Sequence, residues 1–96
     1  MEIGEFQDLV ERTYFERDRA RGLPRNYLRF VEEVGELAEA IFHEDRENLP
    51  REIADVLAWL SSIASQAGVR LEDAIGKYRN GCPSCGSIPC RCEEQP

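Results

Sequence analysis

Two neighbouring segments of the chain carry apolar residues at helical spacing, and each apolar stripe is bordered by a pair of acids. The acids are Glu33 and Glu36 in the first segment, and Glu52 and Asp55 in the second. At about 100° per residue, both pairs lie at the same angle to the apolar stripe of their helix. This shared arrangement predicts two helices that pack along one apolar seam with their acids on matching flanks.

The connection between these two helices, residues 43–49, is short, and short connections place neighbouring helices antiparallel. Turning one helix end over end keeps its acids on the same side of the shared seam. We therefore expect four carboxylates to line one groove, with Glu36 and Asp55 within about one helical turn of the same height. Clustered carboxylates raise one another's pKa unless a cation lies among them, and oxygen ligands suit Mg²⁺ or Mn²⁺. The alternative, four independent solvated acids, predicts no shared angle.

The whole pattern predicts an all-α fold, a helical bundle of about four helices. The expected helices cover about residues 3–20, 26–43, 50–68 and 71–80, with glycines and prolines at their ends. No alternating segment of strand length competes with this assignment. A chain of 96 residues in elongated helices would have a thin core by itself. We therefore expect oligomerisation to complete the bundle, as a homodimer or homotetramer.

Charge is unevenly distributed along the chain. The formal net charge of -7 argues against a stable nucleic-acid partner. Residues 12–29 show the opposite trend, because they hold six arginines and only two acids. This segment is either a basic patch that faces an anionic ligand or a solvated arginine-rich face. The chain has no apolar run of membrane-spanning length and no signal-peptide pattern, so we expect a cytoplasmic protein without a membrane partner.

All four cysteines lie close to the end of the sequence, at Cys82, Cys85, Cys90 and Cys92. The Cys-Pro-x-Cys-Gly turn directs two thiolates at one point, and the Cys-x-Cys pair can complete a tetrahedral Zn²⁺ site. We therefore predict a helical domain over residues 1–80 and a zinc-binding tail, a zinc knuckle, over residues 81–96. Such a site is structural, because four thiolates leave no coordination position for substrate. Disulfides, redox chemistry and disordered free thiols are the alternatives.

Several single side chains are further candidates. Trp59, one turn beyond Asp55, borders the predicted groove and either stacks on a base or belongs to the core. Lys77 and Arg79 either reach phosphate oxygens or are cations favoured by the C-terminal end of the last helix. His43, at the end of the second helix, is assigned a capping or surface role in preference to metal ligation.

The segment VEEVGELAEAI over residues 31–41, followed after ten residues by EIADVLAW over residues 52–59, resembles the MazG-like nucleotide pyrophosphohydrolases of the all-α NTP pyrophosphatase superfamily. The likeness covers about residues 5–80. It implies an oligomeric helical bundle that hydrolyses a nucleoside triphosphate to the monophosphate and pyrophosphate, a reaction suited to house-cleaning of the nucleotide pool. The site residues that the resemblance implies are Glu33, Glu36, Glu52 and Asp55 as Mg²⁺ ligands, Glu32 as a supporting or water-orienting residue, and Lys77 as a phosphate-binding residue.

The chemistry of this reaction agrees with the carboxylate groove. Divalent ions held by carboxylates neutralise polyphosphate charge, so no nucleophilic serine or cysteine is required. The alternative function is a non-catalytic adaptor that contains zinc, in which the tail binds a partner and the helices only dimerise. A di-iron bundle is disfavoured, because it requires Glu-x-x-His and Ala40 stands three residues before His43. The preferred base of the nucleotide does not follow from the sequence.

Overall fold

The computed structural model describes residues 1–93, which form three long helices and a short helical segment. The helices are α1 (Ile3–Arg21), α2 (Leu23–Phe42), α3 (Leu49–Gln66) and α4 (Leu71–Ala74), and a 3₁₀ turn follows at Ile75–Tyr78. The described residues contain no strand, so the predicted all-α fold with four helices is confirmed. The last three residues of the predicted tail, 94–96, lie outside this range.

Two helix boundaries differ from the predicted ones. The second helix begins at Leu23 instead of about Asn26, because Pro24 occupies its first turn, where a missing N–H is no loss. The fourth helix was expected to reach Asn80, but its α-helical part ends at Ala74 and only a 3₁₀ turn continues it. Gly76 within that turn disfavours a longer α-helix.

The second and third helices form the predicted antiparallel hairpin. Asn26, near the start of α2, donates a hydrogen bond to Gln66 at the end of α3. Glu36, farther along α2, meets Glu52 near the start of α3. The connection between them is ordered by Asp45, whose carboxylate accepts hydrogen bonds from the backbone N–H of Asn48 at 3.3 Å and from its side-chain amide at 2.7 Å. These bonds also lower the pKa of Asp45.

Each helix of the hairpin is followed, two residues after its last residue, by a residue in the left-handed conformation. This conformation lets nearby backbone N–H groups donate to the last carbonyls of the helix. At the end of α3 this residue is Gly68, with φ 74°, which confirms the predicted cap. At the end of α2 it is Glu44, with φ 52°, and the N–H of the next residue donates to the carbonyl of Ala40 at 2.9 Å. Glu44 therefore adopts a left-handed backbone conformation, which is unfavourable for a residue with a Cβ.

The interior of the chain is small and largely polar. The buried side chains are Gln7, Val10, Asp18, Asn26, Ala40, Ser61, Ser62 and Ala64. Gln7 joins α1 to the far end of α3, because its amide donates to the Ser65 hydroxyl at 3.1 Å and to the Val69 carbonyl at 2.9 Å. Its carbonyl oxygen accepts a hydrogen bond of 2.8 Å from the N–H of Leu71. Hydrogen bonds thus position α1 as much as apolar contacts do.

Much of the apolar surface of the hairpin faces outward. On α2, the side chains of Tyr27, Val31, Val34 and Ile41 follow one helix face and are 41–59% exposed. On α3, Ile53 and Leu60 are 52% and 40% exposed. Only part of each predicted stripe is therefore covered by the chain itself. Within residues 1–93, no helix combines the length and the apolar character that crossing a bilayer requires.

Candidate active site

Three of the four predicted carboxylates meet between α2 and α3. Glu33 and Glu36 occupy successive turns of α2, and Glu52 lies in the first turn of α3. One carboxylate oxygen from each residue lies within 4.8 Å of the other two. The antiparallel hairpin brings these residues together, because it places the second half of α2 against the first half of α3.

Repulsion and burial perturb these acids. Burial raises the pKa of Glu33 above its ordinary value of 4.5, and a hydrogen bond with Glu36 and repulsion from the carboxyl groups of Glu36, Asp55 and Glu52 raise it too. Together these effects bring this pKa to about 7. Burial also raises the pKa of Glu52, with charge repulsion from Glu36 and Asp55 as additional causes. A cluster of this kind is costly to ionise without a nearby positive charge.

Two oxygens in the cluster have no partner. Oε2 of Glu33 and Oε2 of Glu52 are both buried and make no hydrogen bond. Buried polar atoms are ordinarily hydrogen-bonded, and carboxylate oxygens are the ligands that Mg²⁺ and Mn²⁺ prefer. The donor set and its unpartnered oxygens therefore fit a divalent cation.

Asp55 lies beside this cluster but is not a member of the close group of three. Its charge acts on Glu33 and Glu52, and its side chain lines an adjoining cavity of about 250 Å³ between α1 and α3. The other lining residues are Tyr14, Arg17, Asp18 and Arg21 from α1, and Ala58, Trp59 and Ser62 from α3. Asp55 thus stands between the carboxylate groove and a second, partly cationic space.

Two lining residues of this cavity, Arg17 and Arg21, belong to the arginine-rich segment that the sequence analysis described, but the sequence did not assign them to a cavity. Tyr14, Arg17, Asp18 and Arg21 are spaced at i, i+3, i+4 and i+7, so they share one face of α1. This spacing within the arginine-rich segment is the signal that could have identified them. The guanidinium of Arg21 lies 5.1 Å from the centroid of the Trp59 ring. One ring face of Trp59 is therefore covered by a cation.

The remaining predicted site residues lie elsewhere. Glu32 is exposed and pairs with Arg29 at 3.3 Å. Lys77 lies 5.3 Å from the Tyr78 ring centroid and lines a cavity of about 550 Å³ beside the cysteine tail. Arg79 lies near the backbone of Gly76, and neither basic residue lines the cavity next to Asp55.

His43 has the capping position that the sequence indicated. It is the C-terminal cap of α2, its exposed ring packs edge-on against Phe42 at 5.5 Å, and its N–H donates to the carbonyl of Glu39 at 2.9 Å. It also lines a cavity of about 360 Å³ together with Glu36 and Glu52. His43 therefore caps the helix and also borders the same cavity as two of the carboxylates.

The four cysteines form a second group of potential metal ligands. Their sulfur atoms lie within 4.8 Å of one another, and the Sγ of Cys82 lies 3.7 Å from that of Cys92. The backbone N–H of Arg91 donates to the Sγ of Cys85 at 3.3 Å and, with a second backbone N–H, lowers the pKa of that thiol to about 6. Hydrogen bonds with the other thiols, that of Cys90 first, raise the pKa of Cys92 to about 12.

The turn that precedes the cysteines depends on a glycine. Gly81 has φ 102°, and a Cβ there would lie 2.8 Å from the carbonyl oxygen of Ser87. The chain can therefore reverse closely enough for the N–H of Cys82 to donate to that carbonyl. The resulting cluster of four thiols, with N–H groups directed at sulfur, could hold Zn²⁺.

The fold and its carboxylate groove define an all-helical protein whose site could bind a divalent metal ion. The sequence profile of the MazG nucleotide pyrophosphohydrolase domain matches residues 22–85, and the chain belongs to this family. Membership indicates a hydrolase of the nucleotide pyrophosphohydrolase type. The matched region contains α2, α3 and the first two cysteines, whereas α1 precedes it. Comparison with curated proteins gave no match.

Proposed function

We propose that this protein hydrolyses nucleoside triphosphates to the monophosphate and pyrophosphate with Mg²⁺ or Mn²⁺ as the cofactor. The observation that carries the proposal is the group of Glu33, Glu36 and Glu52, with ligand oxygens within 4.8 Å of one another. The two buried oxygens without partners support a cation at this position. Membership of the family supports the class of reaction, and the carboxylates of the groove support binding of the metal ion there.

In this mechanism the chain itself contributes negative oxygens at fixed positions. Glu33, Glu36 and Glu52 would hold the metal ion, with Asp55 as the further carboxylate that the sequence motif assigns. When bound, Mg²⁺ would neutralise phosphate charge and favour ionisation of the attacking water. The helices hold the carboxylates in position. Because water is the attacking group, no serine or cysteine nucleophile and no covalent intermediate are needed.

Three predicted residues have a weaker basis in this mechanism. Glu32 pairs with Arg29 on an exposed surface, and Lys77 and Arg79 do not line the cavity beside Asp55. Their supporting and phosphate-binding roles stay predictions of the sequence, as do the cytoplasmic location and the house-cleaning role.

The test is a nucleotide panel incubated with purified protein and Mg²⁺, with pyrophosphate and monophosphate measured as products. We expect Glu36→Gln to lower turnover by about 100-fold or more, because it removes a charged ligand of the metal ion that stabilises the transition state. Glu47→Gln, an exposed acid in the connection between α2 and α3, is the control and should retain activity. Wild-type protein that releases no pyrophosphate from any nucleotide would contradict the proposal.

We further propose that Cys82, Cys85, Cys90 and Cys92 bind one structural Zn²⁺. Support comes from the close approach of the four sulfurs and from the N–H groups that stabilise the thiolates. Substitution by Co²⁺ should give the intense absorption of a tetrahedral thiolate complex, and Cys85→Ser should weaken it. A protein purified under reducing conditions that neither contains zinc nor binds Co²⁺ would exclude this site.

A homo-oligomer, either a dimer or a tetramer, is the assembly that we propose. The exposed apolar row on α2 (Tyr27, Val31, Val34 and Ile41) has the spacing of a helix-packing stripe, and few apolar side chains are buried within the chain. A second copy of the chain would cover this row. The mass of the particle in solution tests this point directly.

A further inference from the structure

The cavity between α1 and α3 is not explained by metal binding alone. One of its lining side chains, Arg21, is anchored by hydrogen bonds, because its Nη1 donates to Asn26 Oδ1 at 2.9 Å and to Asp18 Oδ1 at 3.3 Å. Asn26 is fully buried, at 0% exposure. The guanidinium of Arg21 also packs over the Trp59 ring, with its central carbon 5.1 Å from the ring centroid. Arg21 is therefore held in one orientation before any ligand arrives.

The anchored guanidinium still has hydrogen bonds to give. It carries five N–H donors, and within residues 1–93 its hydrogen bonds to the chain all involve Nη1. Nη2 and Nε are therefore left for a ligand in the cavity. A planar donor of this kind, fixed in advance, is suited to phosphate oxygens, which accept paired hydrogen bonds from arginine.

Arg17 adds positive charge to the same cavity. It lies one helical turn before Arg21 and makes no ion pair among the described residues, whereas Asp18 partly neutralises Arg21. Arg21 covers one face of the Trp59 ring, so that face is not available for stacking on a base. Asp55 at the border connects the cavity with the carboxylate groove.

We propose that Arg21 and Arg17 bind phosphate groups of the nucleotide that leave as pyrophosphate, and that Trp59 serves as the platform for Arg21. This inference rests on the proposed function for its substrate. Both arginines lie on α1, before the matched residues 22–85. The phosphate-binding cations would thus come from a helix outside the matched region, in place of Lys77 and Arg79.

The first experiment measures binding of inorganic pyrophosphate in the presence of Mg²⁺ by calorimetry. Loss of a charged hydrogen-bonding group should weaken binding by about 10- to 100-fold in Arg21→Ala, and Arg17→Ala should weaken it to a smaller extent. Arg19→Ala is the matched control, because Arg19 is on the same helix and lies 6.0 Å from the Phe15 ring centroid, away from the cavity. It should bind pyrophosphate as the wild type does.

The second experiment compares nucleotides. Arg21→Ala should raise KM for every triphosphate by a similar factor and leave the order of preferred bases unchanged. If the order of bases changes while pyrophosphate binding does not, the cavity holds the base and the proposal is wrong. Unchanged pyrophosphate binding in both arginine variants, or no binding by the wild type, would also overturn it.

Two further measurements keep the outcome decisive. Arg21→Lys preserves the charge but not the paired donors, and Arg17→Ala alters a side chain that makes no hydrogen bond within residues 1–93. One of these variants therefore provides the result if Arg21→Ala does not fold. A wild type without turnover would refute the proposed function, whereas the pyrophosphate comparison would still decide the role of the arginines. The two failures are therefore distinguishable.

Discussion

A carboxylate oxygen of Glu33 on α2 lies within 4.8 Å of one of Glu52 on α3, and each residue also has a buried oxygen without a hydrogen-bond partner. Neither helix could create this arrangement alone. It costs stability in the metal-free protein and favours binding of a cation, because the same repulsion disappears when a positive charge lies between the acids.

The stability of the metal-free protein should depend on pH. The folded-state pKa of Glu33, about 7, lies above its ordinary value of 4.5, so the folded protein binds the proton more tightly than the unfolded chain does. The free energy of unfolding should therefore fall as pH rises from about 4.5 to about 7. Urea unfolding in EDTA at pH 5 and pH 7.5 measures this change.

Two controls separate this effect from other titrations. Glu33→Gln should remove much of the dependence, and saturating Mg²⁺ should reverse it, because the metal stabilises the charged form. The lowered pKa of Asp45 acts below its ordinary value of 3.8, outside the window of the experiment. Equal stability of the metal-free wild type at both pH values would contradict the raised pKa of Glu33.

Glu44→Gly should stabilise the hairpin. Glu44 has φ 52°, a conformation that costs a residue with a Cβ about 1–2 kcal/mol. Glycine would remove this cost, but part of the gain is offset by the greater freedom of glycine in the unfolded chain. We expect a net gain of about 0.5–1 kcal/mol in chemical denaturation. Glu47→Gly, in the same connection but without a positive φ, should give no gain.

Asn26→Ala should destabilise the protein by about 2–3 kcal/mol, because buried partners that lose their hydrogen bonds retain the cost of desolvation. Asn26 donates to the carbonyl of Asp18 at 2.9 Å and to the side chain of Gln66, and it accepts from Arg21. Thermal or urea unfolding measures the loss. Asn80→Ala changes an exposed residue of the same type and should have little effect.

Val34→Arg should convert the proposed oligomer to a smaller species. Val34 is 41% exposed in the middle of the apolar row on α2, and burying an unpaired guanidinium in a helix interface is strongly unfavourable. Light scattering after gel filtration measures the mass. Glu47→Arg is the control, since Glu47 is exposed in the connection between α2 and α3, outside the apolar row. A wild-type protein that is monomeric at micromolar concentration would remove the basis for this prediction.

Removal of Zn²⁺ from the tail should leave the helical body folded. Within the described residues, the hydrogen bonds of residues 82–93 stay inside that segment. A thiol-directed chelator should therefore release metal without changing the helical circular dichroism or the thermal transition of the body. A parallel loss of helix and metal would show that residues 81–96 are not the separate unit that the sequence predicts.

The sequence was sufficient for the features that depend on local periodicity. The helical spacing of apolar residues predicted the all-α fold. The equal angles of the acid pairs predicted that four carboxylates would line one groove, and three of them, Glu33, Glu36 and Glu52, come close together. The spacing of the cysteines likewise predicted a group of four sulfurs. Helix geometry and a short connection fix these relationships, so little information from distant residues is required.

The tertiary structure decided the features that depend on how separate elements dock. The placement of α1 is set by buried amides such as Gln7 and Asn26, which an apolar pattern does not reveal. Docking of α1 turns Arg21 toward Trp59 and places Asp55 at the border of two spaces. The 3₁₀ turn carries Lys77 toward the tail. Periodicity within one helix defines its faces, but only contacts between helices determine what each face meets.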